Sequence, residues 1–513
     1  MAVVETARES AVARPARGRW IEEWEPEDPE FWARTGRRVA RRNLIWSVFA
    51  EHVGFSVWVL WSVVVLNLGN AGFGGASPFT PGELFLFTAV PNLVGALLRI
   101  PYTFAVPRFG GRLWTAVSAM LLLVPTVLLA AMVHFDWLRQ QSHDTQVLVL
   151  LLIAATAGVG GGNFSSSMAN ISFFYPEKRK GFALGLNAAG GNLGVTVVQL
   201  LGPLAVILGV PYAVASNPVH PVHLAYVGIM WMPLIVLAAV GAWLFMDNLA
   251  IARSDTKSYM ACLRQGHTWV VALLYIGTFG SFIGFSFALP LVIKLTFPTF
   301  LTENPFIGTY LAGLGFLGAL IGSVTRPLGG WLADRVGGAR MTVCVFLAMA
   351  VVAVLAAIGV NQHGFELFFT SYMLLFALSG AGNGSIYRMI PVIFGELGRT
   401  RAAETGADPA ATAVLFKRQA AAVIGVAGAI GASGGFLVQQ VFRIASLPVG
   451  EAVASAKTLA AKEAAAQANA TWSTSALGVF VLTYLVLAAL TWFCYLRRAG
   501  AVSRVPSLAH AGV

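Results

Sequence analysis

Arg326-Pro-Leu-Gly-Gly-Trp-Leu-Ala-Asp-Arg-Val-Gly-Gly-Ala-Arg340 is the stretch that decides the fold, because an earlier stretch follows the same plan. Arg99-Ile-Pro-Tyr-Thr-Phe-Ala-Val-Pro-Arg-Phe-Gly-Gly-Arg112 also starts with an arginine inside an apolar run. In both, a second arginine follows nine residues later, then a Gly-Gly pair and a third arginine. Nine helical residues rise about 13–14 Å, close to half of a hydrocarbon core about 30 Å thick. Arg99 and Arg326 therefore fall near a membrane midplane, at matching places in two halves.

Working outward, apolar runs long enough to cross occur near 44–66, 83–106, 113–134, 147–174, 182–209 and 223–246. A second set lies near 268–296, 306–328, 341–360, 365–393, 419–442 and 474–496. The bulk composition agrees. Of 513 residues 57% are hydrophobic and 11% charged, with a mean hydropathy of +0.73, against about 25% charge in a soluble domain. The segments at one end are the N-terminus, 107–112, 175–181, 247–267, 329–340, 394–418 and the C-terminus. Together they hold 26 of the 34 Lys and Arg, whereas 67–82 and 210–222 hold none. The positive-inside rule puts both termini in the cytoplasm, as an even number of spans requires. The expected architecture is all-α and membrane-integral, with twelve transmembrane helices in two pseudo-symmetric six-helix bundles. Its parts are an arm (1–43), a first bundle (44–246), a linker (247–267), a second bundle (268–497) and a tail (498–513).

The net charge of +11 raises nucleic acid as a partner, but the basic residues sit in short gaps between spans rather than on one face. Cys262, Cys344 and Cys494 form no CxxC pair, which argues against a disulfide framework or a structural metal. No nucleophile, metal cluster or phosphate loop suggests an enzyme, and His52 and His134 are too isolated to ligate a haem. No cofactor is expected.

An arginine at the midplane is costly and faces a cavity or a partner. The acids within the spans do not supply an obvious pair for two of them. Glu51 reads as lying in the first third of helix one, and Glu83 and Glu366 at helix ends. The bland reading is that each arginine snorkels or meets a helix carbonyl. The sharper one is an anion gripped by two planar guanidinium forks. Asn187 sits about 10 Å into helix five, where an amide either donates to an anion or bonds a neighbouring helix. Tyr275 and Phe279 share a face of helix seven, as ordinary packing or as two rings that sandwich a flat ligand. Lys294 and Arg388 read as snorkelling residues near helix ends.

The 329–340 motif resembles the signature loop of the major facilitator superfamily, in which Asp334 and Arg335 would latch helix ends during rocking. Gly161-Gly-Asn-Phe-Ser-Ser-Ser-Met-Ala-Asn-Ile-Ser-Phe-Phe-Tyr-Pro176, with Gly-Phe-Ala-Leu-Gly-Leu-Asn187 soon after, resembles the first signature of the nitrate/nitrite porters within that superfamily. Gly380-Ala-Gly-Asn-Gly-Ser385 resembles the second. The likeness runs from Trp24-Glu-Pro-Glu-Asp-Pro-Glu-Phe-Trp32 to the last helix. It implies a monomeric transporter of nitrate and nitrite in the inner membrane, surrounded by lipid. Arg99, Arg326, Asn187, Tyr275 and Phe279, with Gly162 and Gly384 of the signatures, would hold the anion.

Departures from the family pattern are Val159, where a phenylalanine is usual, Asn383, where a small residue is usual, and an Ala-rich insert at 448–472. Glu51-His52 also departs and is the candidate proton-coupling pair. Two facing arginines repel when empty, so the loaded protein should rock more easily than the empty one. Nitrate/nitrite exchange is the expectation, with proton-coupled symport as runner-up. A non-transporting sensor would bind nitrate without moving it, and a channel would not need two repeats.

Overall fold

The computed structural model describes residues 19–75, 77–209, 222–252, 260–455, 469–497, 508–509 and 513. Backbone polar groups in lipid must be satisfied within the chain, and the apolar runs accordingly form long helices. The first half contains α1 (Pro29–Asn67), α2 (Pro81–Phe109), α3 (Gly111–His134), α4 (His143–Phe174), α5 (Lys178–Leu208) and α6 (Tyr226–Phe245). The second contains α7 (Gly266–Thr296), α8 (Gly315–Val336), α9 (Gly338–Asn361), α10 (Phe365–Thr405), α11 (Pro409–Ala452) and α12 (Ser473–Tyr495). Among the described residues, eleven of these helices are long and apolar enough to cross a membrane. The twelfth, α8, has 22 residues, about 33 Å. It is diluted by Arg326, Asp334 and Arg335, the residues that make it informative.

The expected span at 306–328 is displaced. The chain makes two short helical turns, Pro298–Glu303 and Pro305–Tyr310, then bends through positive φ at Ala312, Gly313 and Leu314. Helix α8 starts only at Gly315 and runs to Val336, so most of the 329–340 motif is helical and the turn is Gly337. The first half does the same at Gly110. The two glycines have nearly equal backbone angles, φ 86, ψ 149 and φ 94, ψ 136, a region that side chains rarely adopt. Gly110 is also crowded, since a Cβ would lie 2.5 Å from Asn248 Cγ. Gly110→Ala is expected to destabilise the protein by about 1–3 kcal/mol, read as a lower melting temperature in detergent. Gly406→Ala, at φ 62 with open space around it, should cost less.

The arm is built into the first half. Residues 1–18 lie outside the described residues. Trp20–Ile21 forms strand β1, parallel to β2 at Asn248–Leu249 just after α6. Trp24 packs edge-on against Phe31 and Phe174 and donates to the Phe173 carbonyl at 3.0 Å. Asp247 accepts from Arg42 at 2.5 Å and from Asn43 at 3.1 Å. Helix α1 thus begins some fifteen residues before the apolar run at 44. Of the 448–472 insert, residues 448–455 continue the helix that starts at Pro409, and 456–468 lie outside the described residues. The linker's 253–259 and the tail's 498–507 and 510–512 do so as well.

Within the halves, α2 packs on α4 and α1 on α5, while α8 and α9 pack on α10. Across the halves α2 meets α11, α5 meets α8, and the end of α1 meets α7. Three cross-half hydrogen bonds lie toward the end opposite the basic segments: Thr88 to Gln439 at 2.8 Å, Gln199 to the Ser286 carbonyl at 2.5 Å, and Lys294 to the Leu66 carbonyl. Lys294 therefore ties the halves together rather than snorkelling alone.

Candidate functional site

Arg99 and Arg326 are buried, at 0% and 6% exposure. Arg99 reaches across the halves. Its Nε donates to the Gly161 carbonyl of α4 at 3.0 Å and its Nη1 to the Gly428 carbonyl of α11 at 2.6 Å. Helix glycines make this possible: a Cβ on either Gly161 or Gly95 would come within 2.5 Å of the Trp58 ring. The guanidinium carbon lies 4.6 Å from the Phe164 ring centre, 5.1 Å from Phe279 and 5.4 Å from Trp58. Arg326 Nη2 donates to the Tyr275 hydroxyl at 3.1 Å, and its guanidinium lies 4.9 Å over the Tyr387 ring. The carbonyl contact that the bland reading allowed is thus present at Arg99, yet neither fork is used up. Arg99 Nη2 and Arg326 Nη1 are buried and have no hydrogen-bond partner among the described residues. An unmet charged donor inside a protein is expensive, and two in matching helices point to an anionic ligand.

Between the arginines stands a column of rings. Tyr387 stacks on Tyr275 (centroids 5.0 Å apart), Tyr275 on Phe279 (5.2 Å, planes within 5°), and Phe279 on Phe164 (6.1 Å). Helix α7 passes through a π-helical turn at Ile276–Gly280, a distortion frequent at functional positions. Gly431 leaves room for Tyr275, and Gly434 lets α11 approach Gly280. Tyr275 and Phe279 therefore touch each other. A flat ligand has no space between them and would meet the side of the column.

Asn187 is buried. Its Nδ2 donates to Glu51 Oε2 at 2.7 Å and lies 2.9 Å from Ser167 Oγ, while its Oδ1 has no partner. Sequence reading places no acid with the arginines, and here the structure corrects it. Glu51 is 1% exposed and lies within the electrostatic reach of both Arg99 and Arg326. His52, its neighbour, turns instead toward α5, with Nδ1 3.1 Å from the Gly190 carbonyl.

Gly162 packs under the Tyr102 ring, and Gly384 against Gly330 of α8, so both are close-approach points between helices. Asp334 accepts from Arg388 Nε of α10 at 3.2 Å, and Arg335 lies 3.9 Å over the Trp331 ring. Arg388 is thus the partner of the signature aspartate rather than a snorkelling end residue. Trp58, Phe164 and Tyr387 were not singled out from sequence. Phe164 lies inside the first signature and Tyr387 two residues past the second, which was the available signal.

The major facilitator superfamily profile matches residues 44–439. The nitrate/nitrite transporter NarU of Escherichia coli (strain K12) is 36% identical over 490 residues, covering 93% of this chain and 96% of the relative. The probable nitrate/nitrite antiporter NarK2 of Thermus thermophilus is 34% identical over 438 residues, covering 83% and 89%. Among solved structures, an inward-facing bacterial homologue of the human lysosomal transporter Spinster superposes with a TM-score of 0.60 at 15% identity, covering 88% of this chain and 95% of that one. A D-xylose–proton symporter gives 0.59 at 14%, covering 91% and 98%. These two speak to the fold alone. With profile and close relatives in agreement over nearly the whole length, the chain belongs to the major facilitator superfamily and, within it, to the nitrate/nitrite porters.

Proposed function

We propose that the protein carries nitrate and nitrite across the inner membrane, exchanging one for the other as two bundles rock around Arg99 and Arg326. The observation that carries this is the pair of buried guanidinium groups, each with one unpartnered nitrogen, at the two ends of one aromatic column. Its chemistry suits a flat, monovalent oxyanion: forks for the oxygens, ring edges and faces for the plane. The printed names of the relatives point to the same substrates.

Exchange follows from charge. With Glu51 ionised, two arginines and one carboxylate leave the empty site with one positive charge, which resists being enclosed in low dielectric. A nitrate or nitrite ion cancels it. The loaded protein rocks and the empty one lags. Asp334, held by Arg388, and Arg335 act at the basic end as the latch between helices. The distribution of Lys and Arg supports a cytoplasmic location for both termini, and a monomer would contain every part of this site.

The test uses liposomes loaded with nitrite and given external nitrate. Nitrite efflux should require external nitrate and proceed with no pH gradient imposed. Nitrate entry into empty liposomes only when protons can follow would overturn exchange and favour symport.

A further inference from the structure

Three ionisable groups, not two, set the charge of the arginine site. Glu51 is enclosed by α1, α4 and α5. Its Oε2 accepts from Asn187 and from the Ser167 hydroxyl, while its Oε1 has no partner. A Cβ at Gly191 would lie 2.7 Å from Oε1, so α5 is pressed directly against the carboxyl. The charged or titratable groups facing it are few. His52 on its own helix is turned to Gly190, and Arg99 of α2 and Arg326 of α8 act on it through their charge. What α4 and α5 present to it, namely Ser167, Asn187 and Gly191, is uncharged. Ser167, which bonds Glu51, also bonds the carbonyl of Phe164, whose ring lies 4.6 Å from the Arg99 guanidinium; among the described residues no salt bridge joins Glu51 to either arginine, and helix packing does not explain a buried carboxyl so placed.

We propose that Glu51, when ionised, is the counter-charge that matches the arginine pair to monovalent oxyanions and excludes divalent ones, with Asn187 and Ser167 as its positioning residues. This rests on the anion site proposed in the preceding subsection. With Glu51 ionised the site carries a single positive charge. Nitrate or nitrite neutralises it, whereas sulfate would leave an uncompensated negative charge in the interior, which is strongly penalised.

The geometry also accommodates the protonated acid. Ser167 Oγ has a second acceptor, the Phe164 carbonyl at 3.2 Å. The hydroxyl can donate to the carboxylate, or turn to that carbonyl and accept from the acid. Protonation raises the site's charge by one. Anion affinity should therefore be highest in acid and fall as pH rises through the Glu51 titration, a fall of on the order of tenfold for the loss of one favourable unit charge in a protein interior.

The experiment is calorimetric binding of nitrate to the purified full-length protein from acid to alkaline pH, with sulfate as competitor. The wild type should lose affinity as pH rises and admit sulfate only in acid. Glu51→Gln should hold the acid-limit nitrate affinity at every pH and admit sulfate throughout. If Glu51→Gln fails to fold, Ser167→Ala keeps the carboxyl and removes one donor. It should move the midpoint of the pH profile without abolishing the fall.

Unchanged pH profiles and continued rejection of sulfate in these variants would overturn the inference. So would a profile flattened by His52→Gln instead. A wild type that binds no nitrate at any pH would count against the anion site itself, whereas nitrate binding without a valence or pH effect would count against Glu51 alone.

Discussion

Arg99→Lys and Arg326→Lys are each expected to reduce nitrate/nitrite exchange by about a hundredfold or more while leaving a folded protein. Charge is conserved in both, so a loss must come from geometry. Arg99 makes two carbonyl contacts through Nε and Nη1 and still has Nη2 to offer. A lysine ammonium cannot span Gly161 and Gly428 and also meet an anion. At Arg326 a lysine would have to choose between the Tyr275 hydroxyl and the ligand. Each charge-assisted hydrogen bond lost is worth about 1.5–3 kcal/mol, and one such bond accounts for roughly ten- to hundredfold in affinity. Counterflow in liposomes reads the effect, with size-exclusion profiles to establish folding. Lysine variants that exchange at wild-type rate would mean that the guanidinium forks do not hold the anion.

Phe279→Ala should have the second-largest effect, a drop of roughly tenfold to a hundredfold in nitrate affinity together with poorer rejection of chloride. Phe279 is wholly buried. It links Tyr275 to Phe164 in the column and lies 5.1 Å from the Arg99 guanidinium. That ring contact is worth about 2 kcal/mol when desolvated, and its removal frees Arg99 to swing. A spherical ion gains nothing from the flat wall, so chloride should lose less than nitrate. Because a Phe→Ala change in a core also costs about 3–5 kcal/mol of stability, Phe279→Leu is the companion. It refills most of the space without the ring and should reproduce the selectivity change at smaller thermal cost. Equal losses for nitrate and chloride in both variants would argue for simple packing.

Apolar run length, the alternation of basic segments and the paired Arg/Gly-Gly stretches made the membrane class, the two halves and the matching of Arg99 with Arg326 legible in the sequence. These signals are local, and lipid makes them strong. What stayed hidden depends on side chains meeting between helices. Glu51 lies only seven residues past the start of the apolar run at 44, a position that suggests no partner on another helix. Its nearness to both arginines follows only from how α1, α2 and α8 converge. Helix α8 was displaced because the turn through Ala312–Leu314 uses positive φ at two residues other than glycine, which no turn pattern announces. Asp334 and Arg388 are far apart in sequence and meet because α8 and α10 pack closely. The mutual stacking of Tyr275 and Phe279 reflects the π-helical turn, a local rewinding that four-residue spacing does not reveal.

The three cross-half bonds at the end away from the basic segments make the two faces of the membrane unequal. Opening toward that side means giving up Thr88–Gln439, Gln199–Ser286 and Lys294–Leu66 together, whereas opening toward the basic side leaves them intact. At about 1 kcal/mol net for each bond, opening that end costs about 3 kcal/mol before any ligand is bound. Apparent affinity scales with the competent fraction, so an anion arriving at that face meets a weaker half-saturation point than the same anion at the other, though the site is one and the same. Sidedness of this kind sets the working direction by concentration: the carrier saturates first from the side where the bonds are already made, and a large gradient is needed to drive it from the side where they must break.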